Sequence, residues 1–181
     1  MHRPAAVFLD RDGVINRAIV KGGAAHSPLS VAELSIPSGV PEALHRLRRA
    51  GFAIVVVTNQ PNVARGIQSR AVIEAMHAHL GSLLTIDEFR VCYHDDHDRC
   101  ACRKPEPGLI LQAPRFAIED SFMIGDRWRD ISAGYRAGCR ANILIGDGYG
   151  EPFPVAADVQ CGSVQQAADW ILRAGCGRRD E

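Results

Sequence analysis

The sequence predicts an α/β protein, a three-layer sandwich built on a mainly parallel sheet. Three observations predict it. Short apolar runs alternate along the chain with amphipathic helical stretches, the mark of repeated strand–helix–strand units. The richest run, FAIVVVT (52–58), is polar only at its end, as in a strand covered on both faces. Several runs lead straight into acidic or basic clusters, and such sheets bind ligands beyond the carboxyl ends of their strands.

Taken in order, AAVFL (5–9) is the first strand. GVPEALHRLRRAG (39–51) sets Val40, Ala43, Leu44 and Leu47 on one helical face, and Gly51 stops it. FAIVVVT follows as the second strand. SRAVIEAMHAHLGSLL (69–84) is an amphipathic helix with Ser69 placed to cap it. FRVCY (89–93) is a short strand. PGLILQAPRFAI (107–118) has helical spacing, with Pro114 expected to kink or end it. SFMIGD (121–126) is a strand running into Gly-Asp, and RDISAGYRAGC (129–139) a helix with glycine near its end. ANILIG (141–146), ADVQ (157–160) and SVQQAADWILRA (163–174) complete the pattern as strand, strand and helix. The tail GCGRRDE is expected to fray.

Length and charge set the class. The 181 residues suffice for one domain, taken as 1–181, with a real core. Lys plus Arg number 21 and Asp plus Glu 21, so no global field invites nucleic acid or an anionic membrane. MHRPAAVFLD lacks the apolar core of a signal peptide, and no run reaches the roughly 18 apolar residues of a membrane span. A cytoplasmic monomer acting on a small molecule is the expectation.

The chemistry is concentrated at the strand ends. Asp10 and Asp12 follow the first strand, and Thr58, Asn59 and Gln60 the second. Arg103 and Lys104 follow a cysteine loop, and Asp126 and Asp130 a later strand. Two carboxylates this close repel unless a cation lies among their oxygens. Asp10, Asp12 and Asp126 suit Mg²⁺, which prefers oxygen ligands. Thr58 and Lys104 add donors for phosphate oxygens. An aspartate can attack phosphorus to form an acyl phosphate. A second acid two residues on can protonate the leaving oxygen and then deprotonate water.

Taken together, D-R-D-G-V, V-V-V-T-N-Q, C-R-K-P and M-I-G-D-R-x-x-D resemble the four motifs of the haloacid dehalogenase superfamily of phosphatases. The resemblance spans residues 5 to about 146. It implies a Rossmann-like sheet and an aspartyl-phosphate mechanism. By motif match, Asp10 is the nucleophile, Asp12 the general acid/base, and Thr58 and Lys104 hold the phosphoryl group. Mg²⁺ would be bound by Asp10, the backbone carbonyl of Asp12 and Asp126, with Asp130 in support. About 45 residues separate the first two motifs, so no large cap domain is expected.

Between 92 and 102 the chain reads C-x-H-x5-C-x-C. Cys92, His94, Cys100 and Cys102 offer three thiolates and an imidazole, a closed set typical of structural zinc. His97 competes with His94 as ligand. Cys139, Cys161 and Cys176 are scattered and read as ordinary thiols. A zinc loop leading into C-R-K-P resembles two branches of the superfamily, the heptose 1,7-bisphosphate 7-phosphatases and the histidinol phosphatases. T-N-Q-P-N-V-A-R-G looks like the first. The substrate is then a phosphorylated sugar bearing a second phosphate, with Arg103 reading that phosphate. Asn16, Asn59, Gln60 and Arg65 are expected at the same mouth. A histidinol-phosphate phosphatase is the first alternative, since the x5 spacing of the cysteine loop resembles that branch, and a non-catalytic, zinc-stabilised phosphate-binding module is the second. The second is disfavoured because every expected catalytic position is filled.

Overall fold

The structure, a computed structural model, describes residues 3–22, 24–112 and 115–175. The kink expected at Pro114, the thiol of Cys176 and the tail beyond Gly175 lie outside those residues. The order of elements is β1 (Ala6–Leu9), β2 (Ile19–Lys21), β3 (Ala24–His26), α1 (Val40–Arg49), β4 (Ala53–Asn59), α2 (Arg70–Leu83) and β5 (Glu88–Cys92). After these come α3 (Gly108–Leu111), β6 (Phe122–Gly125), α4 (Trp128–Ala137), β7 (Ala141–Ile145), β8 (Val159–Cys161) and α5 (Val164–Gly175).

Six strands form one parallel sheet in the order β5-β4-β1-β6-β7-β8. Renumbered within the sheet this is 3-2-1-4-5-6, the doubly wound Rossmann order, whose switch point lies beside the first strand. Both faces are covered. Val7 and Leu9 of β1 pack with Val40, Leu44 and Leu47 of α1 and Ala167 and Ile171 of α5. Phe8 packs on the opposite face with Leu109 and Ile110 of α3 and Ala133 of α4. Double coverage is why these strands read as continuous apolar runs rather than alternating ones.

Local chemistry bounds the helices much as the sequence indicates. A proline sits in the first turn of α1, where no backbone donor is lost. The Ser69 hydroxyl accepts the Val72 N–H at 3.3 Å and caps α2. α4 ends at Gly138, whose φ of 82° suits glycine. Two differences from the sequence reading stand out. Where a helix kinked or ended by Pro114 is expected over 107–118, the described residues form a single turn, α3, whose Leu109 and Ile110 are buried with Phe8 of β1 and Ala133 of α4. The antiparallel hairpin of β2 and β3 was not foreseen. Its strands are three residues long, too short for a periodicity signal. Among the described residues no helix is long and apolar enough to cross a membrane.

Candidate active site

Register brings the motifs together. Leu9 pairs with Val56 on one side and Ile124 on the other. The next residue, Asp10, donates its N–H to the Ile124 carbonyl at 2.9 Å. Asp10 thus emerges between Thr58 and Asp126, at the switch point. Gly13 completes the turn with φ 90°, and a Cβ there would lie 1.7 Å from Asp126 Oδ2. The glycine of D-x-D-G is therefore required both by conformation and by the approach of the third carboxylate.

Asp10, Asp126 and Asp130 each place a carboxylate oxygen within 4.8 Å of the others. Lys104, 2% exposed, directs its ammonium to Asp10 Oδ1 at 2.8 Å, Asp130 Oδ1 at 2.6 Å and the Val57 carbonyl at 2.7 Å. Burial pushes the Asp10 carboxyl up to about 6 despite the Lys104 ammonium. Burial, with Asp10 and Asp130 close by, pushes Asp126 up to about 8. Burial opposes the Lys104 charge, but Asp10 and Asp130 outweigh it and hold the ammonium protonated. When all three are ionised, the carboxylates against one ammonium leave two negative charges to offset, and a bound cation would favour that ionised state. Asp126 Oδ1 is also buried without a hydrogen-bond partner, and such an oxygen is available to ligate a cation. The donor set fits a hard divalent metal, Mg²⁺.

Asp12 stands apart from that cluster. Its carboxylate is gripped by Arg11, Nη2 to Oδ2 at 2.8 Å and Nε to Oδ1 at 3.0 Å. Gln60 and Asn16 donate to it at 3.1 and 3.2 Å. Burial would raise this carboxyl, but the Arg11 charge and the hydrogen bonds from Arg11, Ser27 and Gln60 bring it below its usual range. Any metal contact from Asp12 is thereby left to its backbone carbonyl. Asn16 and Gln60 are fully buried and do not line the cavity. Their amides position Asp12, so the geometry does not give them the direct substrate contact expected from the sequence.

The cavity above Asp10 is about 480 Å³. Thr58, Asn59, Arg65, Arg103 and Lys104 line it, as expected. The Thr58 hydroxyl accepts from Gln60 at 3.0 Å, which leaves its own hydrogen to donate. Asn59 clasps the backbone of Lys104 through reciprocal bonds of 3.0 Å. Sequence reasoning missed other wall residues: Ile19, Ala25 and His26 of the hairpin, and Arg127 and Arg129 at the start of α4. It also missed Tyr149, whose hydroxyl donates to Asp126 Oδ2 at 2.7 Å. Tyr149 follows β7 on the same rim of the sheet, and that position was the available signal.

Next to Lys104 lies the cysteine loop. Cys92 Sγ is 3.6 Å from His94 Nδ1, 3.6 Å from Cys100 Sγ and 3.2 Å from Cys102 Sγ. Cys102 Sγ lies 3.4 Å from both Cys100 Sγ and His94 Nδ1. Ligand atoms about 2.0–2.3 Å from a shared centre stand roughly 3.4–3.8 Å apart in a tetrahedron. The four donors fit zinc. His97 turns outward, 76% exposed and 3.6 Å from Asp98, so His94 is the imidazole of the cluster. Cys139 and Cys161 carry free thiols.

Comparison with known proteins agrees with this geometry. The family model described as HAD-hydrolase-like matches residues 101–167. The chain is 32% identical over 176 residues to the D-glycero-beta-D-manno-heptose-1,7-bisphosphate 7-phosphatase of Helicobacter pylori, covering 92% of this chain and 96% of that protein. It is 32% identical over 184 residues to the Escherichia coli protein of the same name, covering 93% and 88%. The crystal structure of D,D-heptose 1,7-bisphosphate phosphatase from B. bronchiseptica, complexed with magnesium and phosphate, is similar with a TM-score of 0.79. That match has 30% identity and covers 94% of this chain and 99% of the other. With motif order, sheet topology and relatives in accord, the chain belongs to the haloacid dehalogenase-like family of phosphoric monoester hydrolases.

Proposed function

We propose that this chain removes the 7-phosphate of D-glycero-D-manno-heptose 1,7-bisphosphate with Mg²⁺ in the Asp10–Asp126–Asp130 cluster. The observation that carries the reading is this carboxylate triad around Lys104, at the base of a cavity whose mouth is rich in arginine. Identity to the heptose bisphosphate phosphatases over more than nine-tenths of the chain supports the substrate. The mouth also disfavours a cationic amine such as that of histidinol phosphate, since Arg65, Arg103, Arg127 and Arg129 line it against Glu33 and Asp96, a positive balance.

Asp10, ionised at neutral pH, attacks phosphorus through a carboxylate oxygen. The phosphorus–oxygen bond to the sugar breaks as the acyl phosphate forms. A phosphoryl oxygen reaching Lys104 replaces one of its present partners and is held by its charge. Thr58 donates a hydroxyl hydrogen to a second phosphoryl oxygen. Asp12 gives its proton to the leaving alkoxide. Arg11 holds Asp12 ionised here, but a dianionic phosphate beside it favours the protonated form. In the second half Asp12 takes a proton from water, whose oxygen attacks phosphorus and returns Asp10 to its carboxylate. Bound Mg²⁺ would supply charge neutralisation for the phosphoryl oxygens. Structural zinc would hold the loop that presents Arg103 and Lys104, and Arg103 would bind the retained 1-phosphate.

The test is a panel of phosphate esters with Mg²⁺, including both heptose bisphosphate anomers and histidinol phosphate. The highest kcat/KM is expected for heptose 1,7-bisphosphate, with Asp10→Asn inactive but folded. Preference for histidinol phosphate would overturn the substrate, and turnover by Asp10→Asn the mechanism.

A further inference from the structure

Two arginines from distant parts of the chain meet on one oxygen. Arg103 Nε lies 2.8 Å and Arg129 Nη1 2.7 Å from Asp96 Oδ1. All three residues line the cavity that holds Asp10 and Lys104. The two guanidiniums are fixed from behind. Arg103 is 11% exposed and donates to the His94 carbonyl at 3.2 Å. Arg129 lies over the Trp128 ring, 5.1 Å from its centroid. Asp96 is different: its side chain is 56% exposed, and its carboxylate has these two cations as its side-chain partners.

We propose that Arg129 is a specificity-determining residue that forms, with Arg103, a two-armed seat for a second anionic group on the substrate. Asp96 is the internal anion that fills the seat until substrate arrives. This inference rests on the phosphatase reading above and adds to it the recognition of the non-reacting end.

Three physical points support it. First, Arg103 Nη2 also lies 3.9 Å from Asp95 Oδ1, so Arg65, Arg103 and Arg129 share two carboxylates, Asp95 and Asp96, and the positive charge left over is satisfied better by a phosphate dianion than by Asp96. A phosphate offers several acceptor oxygens and can take both arms at once. Second, an exposed carboxylate is easily displaced, because ion pairs in water contribute little. Third, the nearby charges are otherwise committed. Arg65 pairs with Asp95, at 2.6 Å through both nitrogens, and Arg127 with Glu151 at 3.3 Å. The Arg103–Arg129 pair is thus the part of the mouth whose shared anion, Asp96, is the one open to solvent. Asp96 also lies on the cysteine loop and Arg129 on α4. Substrate binding would trade a bridge between these two elements for one made through the substrate.

The experiment measures binding by calorimetry in the Asp10→Asn background with Mg²⁺ present, so that hydrolysis does not intrude. The ligands are D-glycero-D-manno-heptose 1,7-bisphosphate and the 7-monophosphate, which differ only in the distal group. Arg129→Ala is expected to weaken the bisphosphate about tenfold more than the monophosphate, the scale of one charge-assisted hydrogen bond. Arg129→Lys should recover part of that loss. Asp96→Asn should tighten the bisphosphate about threefold, as expected when an exposed competing ion pair is released. Equal weakening of both ligands by Arg129→Ala would overturn the seat. Unchanged or weaker bisphosphate binding by Asp96→Asn would overturn Asp96 as its occupant and make it a strut. Zinc content near one per chain in each variant shows that the loop is intact. A wild-type protein inactive on every phosphate ester would sink the phosphatase reading instead, and the binding ratios would still decide the seat.

Discussion

The guanidinium of Arg11 is wholly out of solvent and grips the carboxylate of its own sequence neighbour, Asp12, through two bonds of 2.8 and 3.0 Å. A buried cation of this kind is tolerable only while its partner remains, since removing one member of a buried pair costs about 3–5 kcal/mol. Asp12→Asn is therefore expected to lose stability as well as activity. The double variant Arg11→Met, Asp12→Asn should recover most of the stability and none of the activity. Urea denaturation of the four proteins in the cycle reads this directly, and additive losses would contradict it.

The same pair makes a kinetic prediction. Arg11 holds Asp12 in place, and general acid–base catalysis contributes about 10²–10⁴-fold. Arg11→Met should slow sugar phosphate hydrolysis by about 10- to 100-fold. The kcat/KM of p-nitrophenyl phosphate, which reports only the first half-reaction, should suffer far less, because its leaving group departs without a proton. A variant that was merely misfolded would lose both substrates alike.

On its far side Arg11 Nη1 lies 3.2 Å from Nε2 of His77. A guanidinium cannot accept, so Nε2 accepts and His77 is neutral with its proton on Nδ1. Burial, and then the Arg11 charge, push the imidazole down to about 4 from 6.5, although Asp12 and Glu74 pull the other way. Between those two values the unfolded chain binds a proton that the native state refuses. Stability carried by His77 is therefore full above pH 6.5 and falls as the pH drops toward 4. His77→Gln keeps an acceptor for Arg11 and should flatten this part of the stability profile. Urea midpoints at pH 7 and pH 5 for both proteins test it, and parallel losses would refute the assignment.

Tyr149 is the one described tyrosine that reaches the carboxylate triad, donating to Asp126 at 2.7 Å. It does so from a left-handed backbone, φ 57°, a conformation that costs a non-glycine residue energy and persists where the surroundings enforce it. Loss of a group that orients a metal ligand typically weakens metal binding 10- to 100-fold. Tyr149→Phe should raise the Mg²⁺ concentration needed for half-maximal activity by about tenfold, with a smaller change at saturating Mg²⁺. Unchanged Mg²⁺ dependence would remove Tyr149 from the metal site.

Protein purified without added metal should contain one zinc per chain, bound by Cys92, His94, Cys100 and Cys102. Cys100→Ser, or a chelator, should lower Tm by roughly 5–10 °C, equivalent to a few kcal/mol at this chain length. kcat should fall with it, because Cys102 is two residues from Lys104. Absence of zinc by elemental analysis, or a stable Cys100–Cys102 disulfide under reducing conditions, would refute the site.

By itself the sequence determined the layered sheet, its strands and the clustering of Asp10, Thr58, Lys104 and Asp126 on one rim. These follow from local properties: apolar runs, glycine at a turn, and acids placed just after strands. The triad around Lys104 follows from register, because parallel strands that end level deliver their next residues to one place. Tertiary structure alone decided which side chains face the cavity and which face one another. Asn16 and Gln60 turn inward to Asp12. His94 rather than His97 joins the thiols. Asp96 meets Arg129 across 33 residues, and Tyr149 reaches Asp126 across 23. Such pairings depend on how loops pack over the rim. Residue type limits what a side chain can bond, but the folded backbone sets which partners lie within three ångströms of it.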